Sequence, residues 1–121
     1  MTDLLFNMKQ IPDQPPEYYY GNKEYKLSLG YQKETPKRVN YLLEKKASQM
    51  LFRLFEGNGD AKYLIGVEDN GNAVGIDEID LALSIQNLIK ITKKIDEKIK
   101  KITIYKGSKG LIASVKLQKS I

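Results

Sequence analysis

The C-terminal quarter of the chain is rich in lysine, and lysine ammonium groups can neutralise the phosphates of a nucleic acid. Residues 90–121 contain ten Lys and two acidic residues, so this segment carries +8 and the rest of the chain −3. Lysine is a mobile point charge, which suits contact with a phosphate backbone more than the reading of bases. We therefore predict a nucleic-acid-binding surface with these contacts: Arg53, Lys98, Lys100, Lys101, Lys106, Lys109 and Lys116.

Two further features bear on this prediction. Glycines surround Lys109 in the segment 106–110, and glycine allows backbone N–H groups to approach a phosphate closely. Gln49 and Arg53 lie four residues apart, so they share one helix face from which they could add phosphate contacts. No basic helix carries base-reading residues, so the expected binding depends on charge and shape. A solvated polar face is the alternative for both groups of residues.

Three carboxylates form the candidate catalytic set: Glu24, Glu68 and Asp69. If neighbouring strands bring them together, they could hold Mg²⁺ or Mn²⁺ and activate water against a phosphodiester. The alternative is that they are solvated or paired with lysine. The chain has no Cys and no His, which excludes a thiolate nucleophile, an imidazole base and most transition-metal sites. No phosphate-loop motif is present, and we expect no cofactor.

The elements that must position these residues follow from the hydrophobic pattern. A proline-rich N-terminal arm of residues 1–22 precedes a domain of residues 23–121. Its three adjacent tyrosines, residues 18–20, are expected to pack onto the domain, with stacking on unpaired bases as the alternative. No apolar run approaches the roughly 20 residues that span a bilayer, so we expect a soluble cytoplasmic protein without a membrane partner.

The predicted element order is β-α-β-β-α-β-β. Thr35 and Asp77 are the expected N-caps of the two helices, and Gly57 is the expected left-handed C-cap of the first. An Asn-Gly hairpin turn at residues 70–71 joins two of the strands. Helices that alternate with hairpins predict an α+β domain with two helices packed on a mixed or antiparallel sheet. The predicted strands are residues 23–31, 61–69, 72–76, 99–105 and 111–117.

Two segments carry a resemblance to known proteins: GNKEYKL (21–27) and SQMLFRLFEGNGDAKYLIGVEDNGNAVGI (48–76). They resemble the N-terminal region of the elongation-factor-like large GTP-binding proteins, types one and two. The same strand signals also resemble the Schlafen core, or AlbA_2-type nucleic-acid-binding domain. This resemblance implies a single lobe that binds tRNA, ribosomal RNA or DNA, with translation, the ribosome or a translation factor as its setting. Because the Schlafen core has two lobes, a homodimer of this chain is a further hypothesis.

The resemblance also bears on catalysis. Active Schlafens use three acidic residues, of which Glu24 matches one and Glu68 or Asp69 a second. The third position holds Tyr19 here, with Glu17 two residues away, and the Cys and His of the Schlafen zinc site are absent. We therefore predict a non-catalytic RNA-binding module. The alternatives are a metal-dependent endoribonuclease and a protein-interaction module that docks on a translation factor.

Overall fold

The computed structural model describes residues 8–119, which form two helices and four strands. The elements are β1 Lys23–Lys26, α1 Pro36–Glu56, β2 Asp60–Ile65, α2 Glu78–Lys94, β3 Ile99–Lys106 and β4 Leu111–Gln118. The strands form one mixed sheet in the order β1-β2-β4-β3. This arrangement confirms the predicted α+β class, with two helices on a mixed sheet.

Both helices begin at the caps that the sequence predicts. The side chains of Thr35 and Asp77 each accept a hydrogen bond from the amide three residues later, which satisfies a donor that a helix start leaves without a partner. Gly57 follows the end of α1 as expected, but the left-handed residues of this turn are Asn58 and Gly59. Within residues 8–119, neither helix is long and apolar enough to cross a membrane.

The helices cover one face of the sheet, with α1 packed on β2 and α2 on β4. β2 is parallel to β1 and antiparallel to β4, and β3 is antiparallel to β4. Because side chains alternate along a strand, every second residue enters the main core under the helices. From β2 and β4 these are Ala61, Tyr63, Ile65, Ala113, Val115 and Leu117. The opposite face, which we call the open face, presents the other set.

The first part of the arm, as far as Pro15, lies over the open face, while residues 1–7 fall outside the described residues. Ile11 packs there against an apolar cluster that includes Leu64 and Ile112. The Gln14 amide donates to the Gly71 carbonyl oxygen at 2.8 Å. Gly71 has a φ of 94°, and a Cβ at this position would lie 1.9 Å from the Gln14 carbonyl oxygen. Only a glycine at position 71 therefore leaves room for the arm.

β1 is shorter than predicted, because it ends at Lys26. The apolar residues of the predicted strand do not share one face: Tyr25 joins the open-face cluster, Leu27 is exposed and Leu29 enters the main core. After Lys26 the chain leaves the sheet and docks on α2, where the Leu29 amide donates to Ser84 Oγ at 2.9 Å. Both faces of β1 are also covered, so simple alternation does not describe it.

The predicted returning strand at residues 72–76 does not form. The Asn-Gly turn forms at Gly71, but β2 has already ended at Ile65 and does not run into it. The segment pairs with β4 through a single bridge, between Ile76 and Leu111. The order of elements is therefore β-α-β-α-β-β.

Candidate nucleic-acid interface

Four lysines form a continuous row across the open face, one from each strand. The register pairs Lys23 of β1 with Lys62 of β2, Lys62 with Lys116 of β4, and Lys116 with Lys101 of β3. Neighbouring strands lie about 4.8 Å apart, so the row extends for roughly 14 Å across the strands. We call these four residues the lysine row.

The lysine row concentrates positive charge on the open face. Among residues 8–119, no carboxylate lies within ion-pair distance of any of its members. Burial lowers the pKa of the Lys62 ammonium most, and the charges of Lys23 and Lys116 lower it further. Like charges placed directly opposite each other destabilise a sheet. The arrangement suits an anion long enough to contact several strands at once.

A β-bulge sets the position of the last lysine in the row. The register shifts between Ile99 and Lys101, which makes Lys100 the extra residue of β3. As a result Ile99 pairs with Leu117 and contacts the main core. Lys101 still faces the open side opposite its partner in β4.

The structure brings together part of the predicted lysine set. Lys101 and Lys116 belong to the lysine row. Lys98 and Lys100 are exposed beside it, around the start of β3. These four residues therefore lie at one end of the hairpin that β3 and β4 form.

The other two predicted lysines, Lys106 and Lys109, lie at the turn end of the same hairpin. Lys106 is roughly 16 Å along the strand from the lysine row. The predicted approach of loop N–H groups to a phosphate is wrong, because these amides donate within the protein. The Ser108 amide donates to the Ala73 carbonyl oxygen at 2.9 Å and the Lys109 amide to the Val74 carbonyl oxygen at 2.7 Å.

Lys23 and Lys62 are not among the predicted contacts, because they lie outside the lysine-rich segment. They join the lysine row through the parallel pairing of β1 with β2, two strands that are distant in the chain. A local signal for them exists. Lys23 stands two residues before Tyr25 and Lys62 two residues before Leu64, so each pair shares one strand face.

Arg53 lies inside the protein, which contradicts its predicted place on the nucleic-acid surface. Its side chain emerges from the buried side of α1 and is 4% exposed, whereas Gln49 stays exposed one turn earlier. The Arg53 Nε donates to Glu24 Oε1 at 2.9 Å, and Lys26 Nζ lies 3.3 Å from Glu24 Oε2. A buried charge requires such a partner.

Beside the pair, burial raises the pKa of the Tyr63 hydroxyl, which has no hydrogen-bond partner within residues 8–119.

The Arg53 guanidinium also fixes the end of the arm. Its Nη1 donates to the carbonyl oxygens of Gly21 at 2.8 Å and Tyr19 at 3.3 Å, and its Nη2 to that of Tyr18 at 2.9 Å. The prediction that the tyrosine rings pack onto the domain is met only in part: Tyr18, Tyr19 and Tyr20 are 71%, 78% and 69% exposed, although the rings of Tyr19 and Tyr20 lie beside Phe52. The hydrogen bonds of Arg53 attach the backbone of the arm.

The candidate catalytic carboxylates are not brought together as metal ligands. Both oxygens of Glu24 have cationic partners, Glu68 is half-buried, and Asp69 is exposed after β2. Across residues 8–119, no three acidic side chains are grouped in a way that could hold a metal ion. Glu17 is the residue that approaches Glu24, and its carboxylate accepts a hydrogen bond from the Tyr25 amide. Burial, most strongly, and the charge of Glu24 raise the pKa of Glu17.

A separate apolar surface lies at the C-terminal end of α1. Phe55 is 80% exposed and Leu51 is 53% exposed. Both line a groove of about 1000 Å³, together with Gln118 and Lys119 at the end of β4. Exposed apolar surface of this kind is frequent at contacts with other proteins.

The chain contains a region related to GTP-binding protein 2 of mouse (Mus musculus) and of human (Homo sapiens). With each of them, 43% of the residues are identical over 84 residues. The matched region is 69% of this chain and 13% of each relative, so the chain corresponds to a small part of the length of these proteins. No protein-family model matches the chain, and no solved structure matches it.

Proposed function

We propose that this chain is a non-catalytic RNA-binding module of the translation machinery, with tRNA or ribosomal RNA as its ligand. The lysine row is the observation that carries the proposal. The register aligns four lysines, one on each of the four strands, and none of them has an acidic partner among residues 8–119. A polyanion would supply the missing negative charge and would release its own counterions on binding.

The dimensions of the lysine row favour a nucleic acid over a small anion. One phosphate or carboxylate can contact one or two neighbouring lysines, whereas a strand of RNA presents phosphates along the whole row of roughly 14 Å. The row consists of lysines alone, and a lysine ammonium is a mobile point charge that suits contact with a phosphate backbone. Recognition would therefore depend on charge and shape.

The setting in translation rests on similarity rather than on geometry. The relation to GTP-binding protein 2 supports a link to GTP-binding proteins, and the motifs of residues 21–27 and 48–76 resemble the elongation-factor-like members of that group. Membership of the Schlafen core or AlbA_2 type, a cytoplasmic location and pairing with a second copy belong to the same proposal. GTP binding is not part of it, because the chain has no phosphate-loop motif.

The proposal is tested by measuring RNA affinity as a function of salt. We expect the double variant Lys62→Ser/Lys116→Ser to bind a tRNA about tenfold more weakly, with a smaller slope of log K against log salt, by about 0.7–0.9 per lost contact. The matched control is Lys37→Ser/Lys90→Ser, which removes the same charge from exposed helix positions. Equal affinity of the two double variants would contradict the proposal.

The identity of the RNA is tested by crosslinking in cells and sequencing of the bound fragments. We expect tRNA or ribosomal RNA to be enriched over the variant Lys62→Ser/Lys116→Ser. If the unmodified protein and this variant give the same profile of bound RNA fragments, the assignment to translation is wrong.

A protein-interaction module that docks on a translation factor is the second candidate, and the exposed Phe55 and Leu51 favour it. It requires a protein partner that stays bound after RNase treatment and at high salt, and that is lost in Phe55→Ser. The structure does not favour the endoribonuclease alternative, since Arg53 and Lys26 occupy both oxygens of Glu24. Persistence of an intact RNA after long incubation with Mn²⁺ is the expected outcome for that assay.

A further inference from the structure

The three tyrosines at the end of the arm are held outward by a buried anchor. The guanidinium of Arg53 fixes the backbone of residues 18–21 from inside, while their rings face the solvent. The rings of Tyr19 and Tyr20 meet edge to face, with centroids 4.9 Å apart, and both lie within 6.5 Å of the Phe52 ring. Large apolar rings at a fixed exposed position are a feature of binding surfaces.

Two of these tyrosines line a small pocket between the arm and β1. The pocket has a volume of about 220 Å³, and its lining includes Tyr18, Tyr20, Tyr25, Glu17 and Lys23. This is smaller than the roughly 300–1,000 Å³ of sites for drug-sized ligands. We call it the tyrosine pocket. Its size suits a single flat ring rather than a longer ligand.

The tyrosine pocket adjoins the lysine row. Lys23 belongs to both, because it lines the pocket and begins the row at β1. A ligand whose phosphates follow the lysine row would therefore reach the pocket at its β1 end.

We propose that the tyrosine pocket takes one unpaired base of an RNA strand whose phosphates lie along the lysine row. This inference rests on the proposed function and narrows its ligand to RNA with a single-stranded segment. Aromatic side chains stack on bases of any sequence, so the pocket adds affinity without requiring a particular base.

The composition of the pocket favours a base over a phosphate. Glu17 contributes a carboxylate to the lining, which repels an anion but can accept a hydrogen bond from a base amino or imino group. The positive charge lies on the row side, at Lys23. The charges therefore favour the phosphate of a nucleotide at the lysine row and its base at the tyrosine pocket.

The test compares two ligands of equal charge by fluorescence anisotropy with the full chain. One is a short oligouridylate, and the other is an abasic oligoribose phosphate of the same length. We expect the protein to bind the oligouridylate about tenfold more tightly, since one stacked base contributes roughly that much. The variant Tyr18→Ala/Tyr20→Ala should bind both ligands as the unmodified protein binds the abasic one. Tyr41→Ala, an exposed tyrosine of α1, is the control and should keep the preference.

The outcomes separate this inference from the proposed function. Lys62→Ser/Lys116→Ser should weaken both ligands by the same factor and leave the preference intact. If Tyr18→Ala/Tyr20→Ala keeps the preference, or if duplex RNA of equal charge binds as tightly as the oligouridylate, the base pocket is wrong while charge-based binding stands. If the lysine variant binds both ligands as the unmodified protein does, the proposed function itself fails. Circular dichroism of each variant checks that the fold is retained.

Discussion

The two faces of the sheet differ in how their charged side chains are paired. On the helix-covered face, Glu24 and Arg53 are 5% and 4% exposed and neutralise each other at 2.9 Å. On the open face, Lys62 lies directly between Lys23 and Lys116, with no carboxylate of residues 8–119 in ion-pair contact. The first arrangement is complete within the chain, and the second has no acidic partner among residues 8–119. The buried pair has a structural role, whereas the lysines of the open face are those that the proposed RNA ligand would neutralise.

The largest expected effect on stability comes from removing the buried ion pair. Arg53→Ala removes the partner of a buried carboxylate and three hydrogen bonds to the arm, so we expect the free energy of unfolding to fall by about 3–5 kcal/mol. Urea denaturation measures this loss. The control Arg38→Ala, at an exposed position of α1, should change stability by less than about 0.5 kcal/mol. A small effect at Arg53 would show that the pair is not what holds the arm.

A smaller effect, an increase in stability, is expected when a lysine of the open face is replaced. The pKa of Lys62 is lowered in the folded protein, so its charged form costs stability at neutral pH, and the cost disappears as pH rises through the folded pKa toward 10.5. Lys62→Met should therefore stabilise the protein by about 0.5–1 kcal/mol, a rise in Tm of a few degrees.

The same variant should bind RNA more weakly, and Lys37→Met is its control in both assays. Thermal unfolding and anisotropy measure the two effects. A loss of stability in Lys62→Met would mean that the lysine row is not under electrostatic strain.

The smallest expected effect lies where the two faces meet, at Glu17. Its pKa is raised above 4.5, so its contribution to stability is full below that pH and is lost as pH rises through the folded pKa. Glu17→Gln keeps an acceptor for the Tyr25 amide without the charge. We expect it to match the unmodified protein in stability near pH 4 and to exceed it by less than about 1 kcal/mol at pH 7, because the carboxyl is partly solvated. A constant difference across this pH range would contradict the assignment.

The features that depend on neighbouring residues in the chain could be predicted from sequence. The caps at Thr35 and Asp77 need only local spacing, and the structure confirms them. The buried state of Arg53 could not be predicted, because its position on α1 is polar by pattern and its partner Glu24 comes from a strand twenty-nine residues away.

The candidate site was predictable only in part, for the same reason. Lys101 and Lys116 follow from composition, since both lie in the lysine-rich segment. Lys23 and Lys62 join them through the parallel register of β1 and β2, which no local pattern specifies. The exposed tyrosines illustrate the same limit, since Arg53 of another element donates hydrogen bonds to the carbonyl oxygens of Tyr18 and Tyr19.

The bulge in β3 has a consequence for how the chain can vary in length. Because Lys100 is the extra residue, a chain without it would keep Ile99 on the core side and Lys101 beside Lys116. Elsewhere in the sheet, the loss of one residue would turn every following side chain to the opposite face. We therefore expect a deletion to be tolerated better at position 100 than within the regular parts of the strands, and a one-residue gap between related chains is expected there.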